Sequence, residues 1–146
     1  MYVQFELFNY ADQHSSPGIR WYNGSNGYLG ITATAIGTGA ANTTAIISAQ
    51  GATETSYAAG LARAYTVGSY TDWFLPSKDE LNQMYTLKAT INNTASANGG
   101  SNLGIGYYWS STEDDNNNAW PQNMRYGSSH TNPKNYTNAV RAVRAF

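Results

Sequence analysis

The chain predicts an α+β domain, and three local patterns carry that prediction. Near the N-terminus Val3, Phe5 and Leu7 alternate with Gln4 and Glu6, the period of two that marks a half-buried strand. Ser77-Lys78-Asp79-Glu80 is a capping box, in which the Ser77 hydroxyl accepts from the Glu80 amide and the Glu80 carboxylate accepts from the Ser77 amide, so a helix starts there. Val140-Arg141-Ala142-Val143-Arg144-Ala145-Phe146 alternates again and reads as a closing strand. A length of 146 residues is typical of one domain, so residues 1–146 are expected to share a single core.

In chain order, Val3 to Leu7 is the first strand. Ile19-Arg20-Trp21-Tyr22, ahead of the turn pair Asn23-Gly24, is a second in the same sheet. From Ala33 to Ala41 the composition turns to Gly, Ala and Thr, after which Asn42 can cap a short helix that carries Ile46 and Ile47 and ends near Gly51. Tyr57, Leu61, Ala64 and Tyr65 then recur at helical spacing behind Thr53 or Thr55 as cap. In the helix that follows Ser77, Leu81, Met84, Tyr85 and Lys88 line one face, and Pro76 keeps Leu75 extended. Residues 92–106 hold few apolar anchors and read as a loop. In the closing strand Val140, Ala142, Arg144 and Phe146 share one face and Arg141, Val143 and Ala145 the other, so the two arginines point apart and at least one should meet a carboxylate.

Composition narrows the function. Charged residues are 12% of the chain, about half the average share, and Tyr, Trp, Asn, Ser, Thr and Gly take their place, so the surface is polar but nearly uncharged. A formal charge of -1 offers no basic footprint, and no nucleic acid partner is expected. Without cysteine there is no disulfide, no thiolate metal site and no cysteine nucleophile. No run approaches the ~18 apolar residues of a membrane span, so membrane insertion is not expected. Residues 1–8 lack the basic start and apolar stretch of a signal peptide, so action outside a cell implies another export route, a virion, or a longer chain.

Residues that could carry chemistry have plainer roles. His14 and His130 stand in polar contexts with no nucleophile motif around them. Asp114 and Asp115, followed by Asn116, Asn117 and Asn118, offer oxygen ligands for calcium but lack the EF-hand spacing and its terminal Glu, and neither a metal nor another cofactor is expected. Among the carboxylates Asp72, Asp79, Glu80 and Glu113, the cap uses Glu80, and Asp72 suits a turn before Trp73. Gly24 to Gly30 and Gly99 to Gly106 contain no phosphate-loop Lys-Ser/Thr and are turns. The chain is therefore not expected to be an enzyme.

The segment 114–138 stands out. Tyr, Ser, Asn, Gly, Arg, His and Trp dominate it, the residues that antibody loops favour because aromatic rings give contact area at low entropic cost and small polar groups give adaptable hydrogen bonds. Interspersed Trp120, Met124 and Tyr126 argue against a loop that serves solubility alone.

Asp72-Trp73-Phe74-Leu75-Pro76-Ser77-Lys78-Asp79-Glu80-Leu81, Tyr108-Trp109-Ser110-Ser111-Thr112-Glu113, Asn118-Ala119-Trp120 and Val140-Arg141-Ala142-Val143-Arg144 occur in one order. Together with residues 35–43 they resemble, over about Ile36 to Phe146, the family named after the C-terminal domain of a Legionella collagen-like adhesin. The resemblance implies a C-type-lectin-like fold: two helices flanking small antiparallel sheets, much irregular chain, and an N-terminal strand paired with the C-terminal one. A narrower similarity is to the variable proteins of diversity-generating retroelements, which randomise adenines in a C-terminal segment, so that Asn codons become many residues but never Lys, Glu, Gln, Met or Trp. Between Asp114 and Asn138 only Trp120, Gln122, Met124 and Lys134 lie outside the reachable set.

Carried over by position, Trp109 to Glu113, Trp120 and Met124 are scaffold. The implied ligand contacts are Asp115, Asn116, Asn117, Pro121, Arg125, Tyr126, Ser128, Ser129, His130, Thr131, Tyr136 and Thr137. The implied partner is a protein or glycan target on a cell surface, met by a module on a cell surface or virion. The alternative is a non-diversified adhesin or carbohydrate-binding domain that stacks Tyr107, Tyr108 or Trp120 on sugar rings. Calcium-dependent lectins of this fold use Glu-Pro-Asn or Gln-Pro-Asp with Trp-Asn-Asp, and the related formylglycine-generating enzymes use cysteines; none of these is present.

Overall fold

A computed structural model describes residues 3–4, 18–24, 26–51, 56–66 and 69–145. In order, the elements are β1 (Val3–Gln4), α1 (Gly39–Gln50), α2 (Ala58–Ala64), α3 (Lys78–Thr86), α4 (Lys88–Ala97), β2 (Tyr107–Glu113), β3 (Asn118–Asn123), β4 (Asn132–Pro133) and β5 (Arg144–Ala145). The α+β expectation holds, and the described residues form four helices, where the residue patterns read three and the resemblance implied two. β2, β3 and β4 form one antiparallel sheet in that order, and β1 pairs antiparallel with β5, Val3 opposite Ala145. The remainder of the expected first strand, Phe5 and Leu7, lies outside the described residues, as do Thr53, Thr55 and Phe146.

β2 divides the interior. Successive strand side chains point to opposite faces, and the neighbours Tyr108 and Trp109 accordingly enter different cores. Trp109 packs with Ile19, Trp21, Ile46, Tyr57, Leu61, Leu75 and Val140 on the side of α1 and α2. Tyr108 packs with Phe74, Leu81, Met84, Ile91, Met124 and Val143 on the side of α3 and α4. Phe74 and Leu75 divide in the same way. The single expected core is thus two clusters sharing one strand.

The capping box at α3 forms as read: Ser77 N donates to Glu80 Oε2 at 2.7 Å and Glu80 N donates to Ser77 Oγ at 3.3 Å. Buried Glu80 also accepts from Gly37 N at 2.8 Å, so the cap ties the chain ahead of α1 to α3. α1 starts earlier than expected, and Asn42 is not its cap. Asn42 is buried within the helix and donates to Ala33 O at 2.9 Å and to Ser111 Oγ at 3.3 Å. α4 corrects the loop read from residue 92. Ile91 and Ala95, four apart on one face, are its buried anchors, too few for a periodic signal among Asn and Thr. Residues 98–106 are irregular as expected.

Two other readings are corrected. Ile19 bridges Asn138 rather than β1, and residues 21–24 bend away from any sheet. Strict alternation fails after Asn138, because Ala139 bridges Tyr108 while Val143 bridges Phe74. A stretch shared between two partners must turn between them, and Val140, Val143 and Arg144 all become buried. Arg144 does meet a carboxylate, Asp72, whereas Arg141 donates to the carbonyls of Ser101 and Asn102. No helix among the described residues is long and apolar enough to cross a membrane.

Candidate ligand-binding surface

β2 and β3 pair Tyr107 with Asn123, Tyr108 with Gln122 and Trp109 with Pro121, then slip through a bulge to Glu113 opposite Ala119. Bulges bend a strand and re-aim its side chains. Here the freed polar groups of β2 turn inward, where Ser110 Oγ donates to Trp120 O, Thr112 Oγ1 donates to Ala33 O at 2.9 Å, and Thr112 Oγ1 accepts from Lys78 N at 3.0 Å. The residues assigned to scaffold by resemblance in β2 are all buried.

Lys134 organises one end of the surface. Its ammonium is buried beside Glu113, both residues 1% exposed, with Nζ 2.6 Å from Oε1. An ammonium has three protons, and all are used: the other two go to Gly27 O at 2.9 Å and Asn116 O at 3.1 Å. Glu113 is equally satisfied, accepting from the amides of Leu29 at 2.9 Å and Ile31 at 3.2 Å. Buried ions are tolerated only when paired and hydrogen-bonded in this way. The clamp joins the 27–31 loop, the β2–β3 turn and the start of the chain after β4.

Above it, the β2–β3 turn is held by Asp115. Its Oδ1 accepts from Asn117 N at 2.7 Å and Asn118 N at 2.8 Å, and Asn118 Nδ2 reaches both carboxylate oxygens at 3.0 Å. The Asn118 side chain, then the Asn117 amide, hold the Asp115 carboxyl below its ordinary range. Asp115, expected as a contact, is exposed but also shapes its own turn. Tyr28 and residues Asp114 to Asn117 line an open groove of about 350 Å³.

The other end is the β3 return. Asn123 Oδ1 accepts from Arg125 N at 2.8 Å and Tyr126 N at 3.0 Å, and Gly127, at φ +72°, sits where a Cβ would overlap the Tyr85 ring. Arg125 lies over the Tyr126 ring at 5.4 Å, and Tyr126 is 70% exposed. Ser129 bridges back to Gln122, and the His130 ring stands edge-on to Tyr107 at 5.3 Å.

Of the twelve expected contacts, Asp115, Asn116, Asn117, Arg125, Tyr126, Ser128, Ser129, His130, Tyr136 and Thr137 are exposed, and Thr131 is half-buried. Pro121 is a correction: it is buried opposite Trp109, because β3 turns that position inward. Tyr108 is likewise 1% exposed and cannot stack on a sugar as it stands. Trp120, carried over as scaffold, is half-buried, and the Lys78 ammonium lies over its ring at 3.4 Å. Sequence reasoning missed Tyr28, 54% exposed, because it lies far upstream of the segment, and passed over exposed Asp114 and Asn135. His14 is outside the described residues. Among the described residues no three His, Cys, Asp or Glu side chains gather as a metal site.

No curated protein matches the chain. The model of the Lcl C-terminal domain family matches residues 12–144, further upstream than the motifs alone reached. With nearly the whole chain matched, the protein belongs to the family of the Lcl C-terminal domain, that of the Legionella collagen-like protein.

Proposed function

We propose that the protein is a recognition module of C-type-lectin-like fold whose segment 114–138 is a diversified binding surface, as in the variable proteins of diversity-generating retroelements. It works by binding, without turnover, and its target is a protein or glycan on a cell surface, reached from a cell surface or virion. Family membership supports the coarser part, a surface ligand-binding module.

One observation carries the finer part. None of the four residues that adenine randomisation of Asn codons cannot produce is exposed: Gln122, Met124 and Lys134 are buried and Trp120 half-buried, while every exposed side chain from Asp114 to Asn138 is one it can produce, as are buried Ala119, Pro121, Asn123, Asn132 and Asn138. A mutagenised surface on a constant scaffold requires that its exposed positions all be reachable. A backbone held by buried groups also loses little entropy on binding, so side chains can change without loss of preorganisation.

The test is the DNA flanking the gene. A near-copy of the segment encoding Tyr108 to Phe146 that differs only at adenines, beside a reverse transcriptase gene, is the expected result. Absence of any such copy rejects programmed diversification and leaves a constant adhesin or carbohydrate-binding domain, for which half-buried Tyr107 and Trp120 are the available stacking rings.

A further inference from the structure

Tyr28 belongs to the recognition surface although it lies 86 residues upstream of Asp114 in sequence. Tyr28 is 54% exposed and forms a wall of the groove whose other walls are Asp114 to Asn117. Asn26 closes the same side, its Nδ2 donating to Asn117 Oδ1 at 3.1 Å. The backbone around Tyr28 is held tightly: Gly27 O by Lys134, Leu29 N and Ile31 N by Glu113.

We propose that Tyr28 is a constant contact in the binding site, and that Lys134 is the positioning residue that holds its loop against the β2–β3 turn. This rests on the diversified-surface reading, under which the residues opposite Tyr28 vary while Tyr28 and Lys134 do not. A fixed aromatic beside variable positions supplies the same contact area to every variant, at the cost of only two side-chain torsions. The groove is open, polar on one wall and aromatic on the other, and suits a side chain projecting from a partner protein better than an enclosed small molecule.

The experiment is a library in which the exposed candidate positions between Asp115 and Thr137 are replaced through NNY codons, selected for binding to lysozyme as a model protein. Tyr28→Ala is then introduced into each selected clone. Loss of about tenfold or more in affinity in most clones, with unchanged melting temperature, is the expected result, since an anchor ring contributes whatever its neighbours are. Affinities that stay within about twofold across the clones overturn the assignment of Tyr28. They leave the diversified-surface reading standing. A library that yields no folded members rejects the tolerant surface itself, and the present inference with it, before Tyr28 is touched.

The positioning role of Lys134 is read separately, by amide hydrogen exchange in Lys134→Met, or in Glu113→Gln if the first variant does not fold. Leu29 and Ile31 amides should lose more protection than amides of α3, whose loss should not exceed the fall in global stability. Equal loss everywhere identifies a merely structural pair, and unchanged protection at Leu29 and Ile31 overturns the positioning role of Lys134.

Discussion

Two acid–base pairs sit in different parts of the molecule and show how differently one interaction can act. Glu113 and Lys134 are withdrawn from water, with every proton of the ammonium on a protein oxygen. Asp72 and Arg144 form a two-point pair in which the Asp72 side chain is 55% exposed, with the guanidinium also stacked on Tyr70 at 3.6 Å. A buried pair gives little net stability relative to apolar packing, yet removing one partner strands a charge. An open pair is screened and contributes little either way. The first therefore dictates geometry beneath the groove, and the second trims the end of the chain.

The sharpest way to break this contrast is Lys134→Met, expected to cost about 3–5 kcal/mol in urea denaturation because Glu113 is left buried and unpaired. A cost below about 1 kcal/mol would place it with ordinary surface pairs. Next is Trp120→Ala. A fully buried aromatic costs about 3–5 kcal/mol on truncation, as expected for Trp109; half-buried Trp120 under Lys78 should cost about 1–2 kcal/mol. Equal losses at Trp109 and Trp120 would return Trp120 to the buried scaffold.

Asp72→Asn should cost at most about 1 kcal/mol at neutral pH. The hydrogen bond from Arg144 lowers the Asp72 pKa below its ordinary 3.8. A carboxylate whose folded pKa is depressed stabilises the fold above its unfolded pKa and loses that contribution as pH falls through the folded value. The difference between wild type and Asp72→Asn should accordingly shrink in acid, below the usual carboxylate range. A gap that widens there would reverse the assignment. The smallest effect is expected at Tyr126→Ala, within about 0.5 kcal/mol of wild type in stability, while binding by clones selected through that position is lost. Parallel loss of stability would make Tyr126 part of the scaffold.

Legibility in the sequence followed how local each interaction is. The capping box at Ser77 was readable because both its bonds span three residues. The first strand and its pairing partner were readable at their described ends, Val3 and Ala145. The helix from Lys88 was not readable, since only Ile91 and Ala95 anchor it and its Asn and Thr side chains have weak helix preference. At the surface, the resemblance carried over Pro121 and Asp115 on the same footing as Tyr126. Their side chains have separate fates because the ladder buries one, the turn engages the second and the third is left free to reach outward.

By itself the sequence determined the α+β class, the start of α3, the family motifs and the segment whose composition suits recognition, all of which depend on neighbouring residues or on their order. Tertiary structure alone decided that Tyr28 faces Asp114 to Asn117, that Lys134 is buried on Glu113, and that Pro121 points inward. Those facts depend on contacts between residues far apart in the chain and on the bulge between Trp109 and Glu113, and local pattern carries no record of either.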